Sequence, residues 1–128
     1  MTRELDFNRP GRLMASGGTF DEVMAALDEL LAQVGEVDDD HRFLAGCRVT
    51  FLSHFERPAE EQAAALDEYL ALAPKPIDIA AKVLAVCVHC PALCERYLPV
   101  GIAAISPLPR TANVAALLER LKEVQSET

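Results

Sequence analysis

The chain has 128 residues, a length that suits one domain, and its 51% hydrophobic and 25% charged residues are typical of a folded globular protein. Its formal net charge is -8, whereas a nucleic-acid binder needs a surplus of Lys and Arg and an anionic membrane surface repels negative charge. We therefore expect partners that are neither nucleic acids nor membranes.

The hydrophobic segments of the chain are too short to span a bilayer. The longest apolar run, Val83 to Val88, is far below the roughly 20 residues that a membrane-spanning helix needs. The N-terminal residues also lack the apolar core of a secretory signal. We therefore expect a cytoplasmic protein, in which the four cysteines are reduced thiols rather than a disulfide framework.

The N-terminal segment and the first long helix differ in their residue pattern. Residues 1–18 contain proline and several glycines without sustained periodicity, which predicts a loosely ordered N-terminal arm before a helical domain over residues 19–128. Thr19 and Glu22 have the spacing of a capping box. Apolar residues then recur at intervals of three and four up to Gly35, which predicts an amphipathic helix that ends there.

Two further amphipathic helices are predicted in the next part of the chain. The acidic run Asp38 to Asp40 supplies N-cap candidates for the second helix, and Pro58 suits the first position of the third. The buried face of the second helix is predicted to contain Leu44, Cys47, Phe51, Leu52 and Phe55, and that of the third Ala63, Leu66, Tyr69, Leu70 and Ala73.

The segment from Ala80 to Cys90 is apolar nearly all round, a pattern typical of a central helix that packs on several sides. Its few polar groups are confined, because Asp78, Lys82 and His89 fall at helical spacings that place them on one narrow stripe. We therefore expect this helix to lie in the middle of the fold with a single polar edge.

The C-terminal part is predicted to contain another helical turn or two over residues 91–98, then one short irregular piece and one last helix. Residues 100–105 are apolar and lie between Pro99 and Pro107, which leaves a strand or a buried turn as alternatives. Thr111 is an N-cap candidate for the last amphipathic helix. Together these elements predict an all-α protein, a single-domain antiparallel helical bundle of about five to six helices.

Three of the four cysteines lie close together, and the proline among them allows two backbone geometries. If the helix continues through Pro91, all three sulfurs share one face. The second helix then supplies a thiol and an imidazole at a spacing of seven residues, and thiolates with imidazole suit Zn²⁺ or Cu⁺. The ligands of this metal hypothesis are Cys87, Cys90, Cys94, Cys47 and His54.

If the helix instead breaks at Pro91, the same residues favour redox chemistry. Proline lacks an amide donor and disfavours the helical conformation of the preceding residue, so Cys90 would become the cap of a new helix. The positive end of the helix dipole stabilises a thiolate there. Cys90 and Cys87 are then the candidate catalytic pair of a thiol-redox protein, with Cys87 as the resolving thiol.

A third interpretation needs no chemistry at all. Cysteine is among the most buried residue types, and Cys87, Cys90 and Cys94 continue the apolar face that begins at Ala80. A single Cys-x-x-Cys motif is a weak signal, since metal sites usually pair two of them. Core packing without any cofactor is therefore the simplest expectation for these residues.

The string from Cys87 to Cys94 also resembles the Cys-x-x-Cys-x-x-x-His motif of the AhpD-type peroxidase and carboxymuconolactone decarboxylase-like families. The resemblance covers eight residues, and Cys94 stands where those families have histidine. It implies an all-helical fold and a redox role for Cys87 and Cys90. Lys75 stands in the neighbourhood where the families have an upstream glutamate.

No complete set of catalytic groups is evident in the sequence. We therefore favour a small non-enzymatic helical module for protein interaction, with a homodimer or a protein partner burying part of its apolar surface. The thiol-redox protein and the Zn- or Cu-binding protein are the alternatives.

Overall fold

The computed structural model describes residues 6–34 and 39–127, and all regular structure within them is helical. The α-helices are α1 (Arg9–Ala15), α2 (Phe20–Leu31), α3 (Asp39–His54), α4 (Ala59–Ala71), α5 (Pro76–His89), α6 (Cys94–Ile105) and α7 (Ala112–Ser126), with a 3-10 turn at Pro91–Leu93. The described residues contain no strand, so the predicted all-α class is confirmed. None of their helices is long and apolar enough to cross a bilayer.

The number of helices differs from the prediction of about five to six, because the described residues form seven α-helices. The additional helix is α1, which lies in the segment predicted to be a loose arm. Pro10 is accommodated there because the first turn of a helix leaves its amides without intrahelical acceptors. The division of the chain into an arm and a domain, and the antiparallel order of the helices, stay predictions.

The start of α2 has the predicted capping box. The Glu22 amide donates to Thr19 Oγ1 at 3.2 Å, and the Thr19 amide donates to Glu22 Oε1 at 3.1 Å. At the start of α7, Thr111 Oγ1 accepts from the Val114 amide at 3.3 Å. Helix α2 ends at Leu31, whereas the predicted stop at Gly35 and the predicted cap at Asp38 lie outside the described residues.

Helix α5 is the centre of the packing, as its sequence predicts. It contacts α3, α4, α6 and α7, and its inward face consists of Ala80, Val83, Val86 and Cys87. Its closest neighbour, α6, approaches over Gly101, where a Cβ would lie only 3.0 Å from Val83 Cγ1. A glycine at this crossing therefore allows the two helices to pack at short range.

Residues 100–105 belong to α6, so the expectation of a strand or a buried turn was wrong. Pro99 lies inside this helix and cannot donate to the carbonyl of Glu95 four residues earlier. Both Pro99 and Glu95 are exposed, which lets solvent satisfy that carbonyl. Burial of Leu98, Gly101 and Ile105 on the opposite face holds the segment helical.

The α1–α2 pair joins the rest of the described structure chiefly through α3. Its own core is a separate cluster in which Val23, Leu27 and Leu30 pack on Leu44 and Phe51 of α3. Arg48 of α3 adds a polar connection, since its guanidinium lies 3.0 Å from Asp28 of α2 and 3.4 Å from Glu68 of α4.

Candidate functional site

The backbone around the cysteine cluster takes the broken geometry. Helix α5 ends at His89, and Cys90 has φ -135° and ψ 82°, outside the helical region. Pro91 then begins the 3-10 turn, where its missing amide donor costs nothing. The three clustered cysteines therefore do not lie on one continuous helix.

Cys87 is a buried thiol whose surroundings do not favour its reactive thiolate form. Its residue is 1% exposed, and the Cys94 thiol donates to the Cys87 carbonyl oxygen at 3.4 Å. Burial raises the pKa of the Cys87 thiol to about 12, with a smaller contribution from Cys94. Cys87 and Cys94 thus pack as small apolar groups, while Cys90 is half-buried at the break.

The remaining candidate metal ligands, Cys47 and His54, lie on α3. Cys47 is half-buried on α3, where burial raises the pKa of its thiol. His54 is exposed at the end of the same helix, with its ring 5.0 Å from that of Phe55. Among residues 6–34 and 39–127, no group of three or more His, Cys, Asp and Glu is placed to hold a metal ion. The geometry gives the metal hypothesis no support.

A surface groove between α3 and α5 was not predicted from the sequence. It consists of a cleft of about 510 Å³ and a neighbouring one of about 280 Å³, which share Thr50, Lys82 and Ala85. We call it the α3–α5 groove; its main lining residues are Arg42, Phe43, Gly46, Cys47, Thr50, His54, Tyr69, Lys75, Asp78, Ala81, Lys82, Ala85 and His89. The predicted polar stripe on α5 was the available signal, because all three of its residues line this groove.

Small residues make the groove deep enough to be a cleft. Ala81 and Ala85 have short side chains on the groove side of α5, and Gly46 has none on the facing side of α3. A Cβ at Gly46 would lie 3.1 Å from Tyr69 Cε1 and 3.6 Å from Lys82 Nζ. The absence of a side chain at position 46 therefore leaves room for both the Tyr69 ring and the Lys82 amine.

Lys82 lies where the two clefts meet. Its Nζ donates to Thr50 Oγ1 at 3.0 Å, and the Thr50 hydroxyl donates to the Gly46 carbonyl at 3.3 Å. The amine also lies 5.8 Å from the centre of the Tyr69 ring. Burial lowers the pKa of the Lys82 amine, against smaller opposing effects of Cys47 and Asp78.

Lys82 also differs from the half-buried arginines in its ionic partners. Arg42 pairs with Asp39 at 2.5 Å, and Arg48 pairs with two carboxylates. Of the described Lys and Arg residues, Lys82 is the one that is half-buried without a carboxylate oxygen within 4 Å. Among the described residues, its amine therefore has no direct ion-pair partner, and Asp78 acts on it only at longer range.

The mouth of the groove is apolar and accessible. Phe43 lines the larger cleft and is 52% exposed. Phe43 contacts the edge of Phe7 at a ring separation of 6.5 Å. One surface thus combines an aromatic wall, a floor of small residues and an amine that has no carboxylate oxygen of the described residues within 4 Å.

In comparisons with known proteins, no family model, no curated protein and no solved structure matched the chain.

Proposed function

We propose that the protein is a non-enzymatic helical module that binds an amphipathic helix of a partner protein in the α3–α5 groove. The observation that supports this proposal best is the exposed Phe43 beside a floor made of Gly46, Ala81 and Ala85. An exposed large apolar side chain next to a concave apolar surface is typical of a binding site. Phe43 belongs to neither hydrophobic core cluster of the described structure, so packing of the core does not account for it.

The dimensions of the groove suit a short helix. The stretch of α3 that lines it, from Phe43 to His54, covers about 16 Å at 1.5 Å per residue. This length corresponds to roughly three turns of a bound helix. Helix-in-groove recognition places apolar side chains at intervals of three and four residues in such a space.

The groove is less negative than the rest of the protein, so a partner helix can carry acidic residues on its polar edge without meeting a strongly acidic surface. The described residues that line the two clefts include three basic and three acidic side chains, namely Arg42, Lys75, Lys82, Asp39, Glu56 and Asp78. The lining is therefore formally neutral, whereas the protein as a whole carries a net charge of -8. Charge complementarity at such an edge increases specificity and association rate more than affinity.

A peptide selection tests this function and needs no candidate partner. A phage-displayed library of helical peptides is selected against the wild-type protein, and recovered peptides are then measured against Ala85→Glu. That substitution puts a carboxylate and its stem into the groove, so we expect at least about tenfold weaker binding. Ala116→Glu is the matched control, because Ala116 is an exposed alanine of α7 outside the groove.

The selection also has an outcome that contradicts the proposal. Peptides that bind Ala85→Glu as tightly as the wild-type protein use another surface. A library that yields no peptide above background equally removes the support for a helix-binding groove.

A thiol-redox protein is the second candidate function, and the backbone break at Cys90 is the observation that favours it. The break places a half-buried thiol three residues from Cys87. The high pKa of Cys87 is unfavourable for exchange, because the thiolate is the reactive form. Alkylation of Cys90 across pH tests this candidate, and uniformly slow reaction at neutral pH would exclude it.

A further inference from the structure

We propose that the Lys82 amine is a nucleophile that forms an imine with a small aldehyde bound in the α3–α5 groove. The proposal goes beyond helix binding and does not depend on it. It makes Lys82 a modification site, and it assigns the ligand class as aldehydes with a short apolar chain.

The first support is the position of the amine. Lys82 Nζ lies at the junction of clefts of about 510 and 280 Å³, and residues from both sides of the groove surround it. A small molecule in either cleft is therefore adjacent to the nitrogen. The floor residues Ala81 and Ala85 and the wall at Phe43 offer apolar contacts to a short carbon chain.

The second support is the hydrogen bonding of the amine. The hydroxyl proton of Thr50 is directed to the Gly46 carbonyl, so Thr50 Oγ1 acts as acceptor for an N–H of Lys82. This arrangement fixes the nitrogen through a donated hydrogen and does not engage the lone pair of the neutral amine. The lone pair thus remains available for attack on a carbonyl carbon.

The third support is the missing ion pair. A carboxylate beside Lys82 would hold the amine in its protonated, unreactive form, and none of the described residues supplies one within 4 Å. Partial burial acts in the same direction, since it lowers the pKa of the amine. Desolvated lysines of this kind form imines with carbonyl compounds.

The reaction balances without any further reagent. The amine lone pair forms a C–N bond to the aldehyde carbon, and the carbonyl electrons pass to the oxygen, which takes up a proton. The resulting carbinolamine loses water, so that the oxygen leaves with the two hydrogens of the amine and a C=N bond remains.

The three lysines of the chain allow an internal comparison in one sample. The folded protein is treated at neutral pH with limiting butyraldehyde and sodium cyanoborohydride, which reduces the imine to a stable secondary amine. Peptide mass spectrometry then gives the labelled fraction at Lys82, Lys75 and Lys122. We expect Lys82 to be labelled several-fold more than Lys122, which is exposed outside the groove, and also more than Lys75, which is exposed but lines the same groove.

Two controls show whether the folded site is responsible. In urea the three lysines should be labelled equally, because the groove is lost. In Thr50→Val, which removes the acceptor with little change of shape, the preference for Lys82 should decrease. Labelling of Lys82 in the folded wild-type protein that is equal to or lower than that of both exposed lysines would overturn the proposal.

Discussion

Cys87 is buried in the main core, and its surroundings determine which protonation state the folded protein contains. The pKa of this thiol is raised from its ordinary value near 9 to about 12. The folded state therefore keeps its proton at pH values where the unfolded chain has lost it. The resulting stabilisation is fully present below pH 9 and is lost as the pH rises toward about 12.

This shift gives a prediction for alkaline unfolding. The free energy of unfolding of the wild-type protein should decrease more steeply between pH 9 and 12 than that of Cys87→Ala, which lacks the thiol. Urea titrations at several pH values measure both slopes, and the difference between the proteins removes the contribution of other titrating groups. Parallel slopes would show that Cys87 titrates normally.

Tyr97 connects α6 to α4 through its hydroxyl, which donates to Asp67 Oδ1 at 2.7 Å. Tyr97 is 2% exposed whereas Asp67 is exposed, so this bond is shielded from water on the tyrosine side only. We expect Tyr97→Phe to lower the free energy of unfolding by about 1–2 kcal/mol. Tyr69→Phe is the matched control, since Tyr69 is also buried but has no carboxylate acceptor among the described residues. Equal losses in both variants would contradict this assignment.

The helix crossing of α5 and α6 depends on the size of the residue at position 101. Gly101→Ala would place a Cβ 3.0 Å from Val83, and we expect a loss of about 1–3 kcal/mol. Gly11→Ala in α1 is the opposite case, because nothing lies within 4 Å of the added carbon and alanine favours the helix by about 0.5–1 kcal/mol. Chemical denaturation of both variants checks the predicted opposite signs.

Pro99 interrupts the hydrogen-bond ladder on the exposed side of α6. Pro99→Ala restores the amide donor to the Glu95 carbonyl, so we expect the free energy of unfolding to rise by about 1 kcal/mol. The denaturation midpoint should increase with an unchanged slope. A lower midpoint would contradict this prediction. It would mean that the entropy which Pro99 removes from the unfolded chain stabilises the protein by more than the lost hydrogen bond destabilises it.

At this scale, local signals were predictable and packing was not. The capping box at Thr19 is evident in the sequence because its partner Glu22 lies in the same turn. The helical state of residues 100–105 is not, because it depends on burial of Gly101 and Ile105 against other helices. Likewise, Gly46 becomes part of a groove only once α3 and α5 have packed side by side.

At the α3–α5 groove the molecule exposes Phe43, a large apolar side chain that belongs to neither core cluster of the described residues. We expect Phe43 to support weak self-association, since it is 52% exposed. The sedimentation coefficient of the wild-type protein should increase with concentration, and Phe43→Ser should abolish that increase. Val100→Ser is the control, because Val100 is 41% exposed on α6, away from the groove. A constant sedimentation coefficient for the wild-type protein would contradict this prediction.

The fold class followed from the sequence, whereas the site did not. Helical spacing and caps act within one element, and the apolar sequence of α5 predicted its central place. The spacing of the cysteines is visible in the chain and suggests chemistry, yet Cys87 and Cys94 are buried. The environment of Lys82 is not evident in the sequence, because its hydrogen bond to Thr50 forms only once α3 and α5 have packed together.

The attachment of α1 and α2 through α3 has a consequence for how the molecule opens. Because these two helices contact the rest of the described structure chiefly through α3 and through Phe20, we expect them to open before the helices around α5 unfold. Amides of α2 should then exchange with deuterium earlier than those of α5. Each opening would expose to solvent the sides of Leu44 and Phe51 that α2 covers in the folded protein. The protein would then transiently present a second apolar surface on α3.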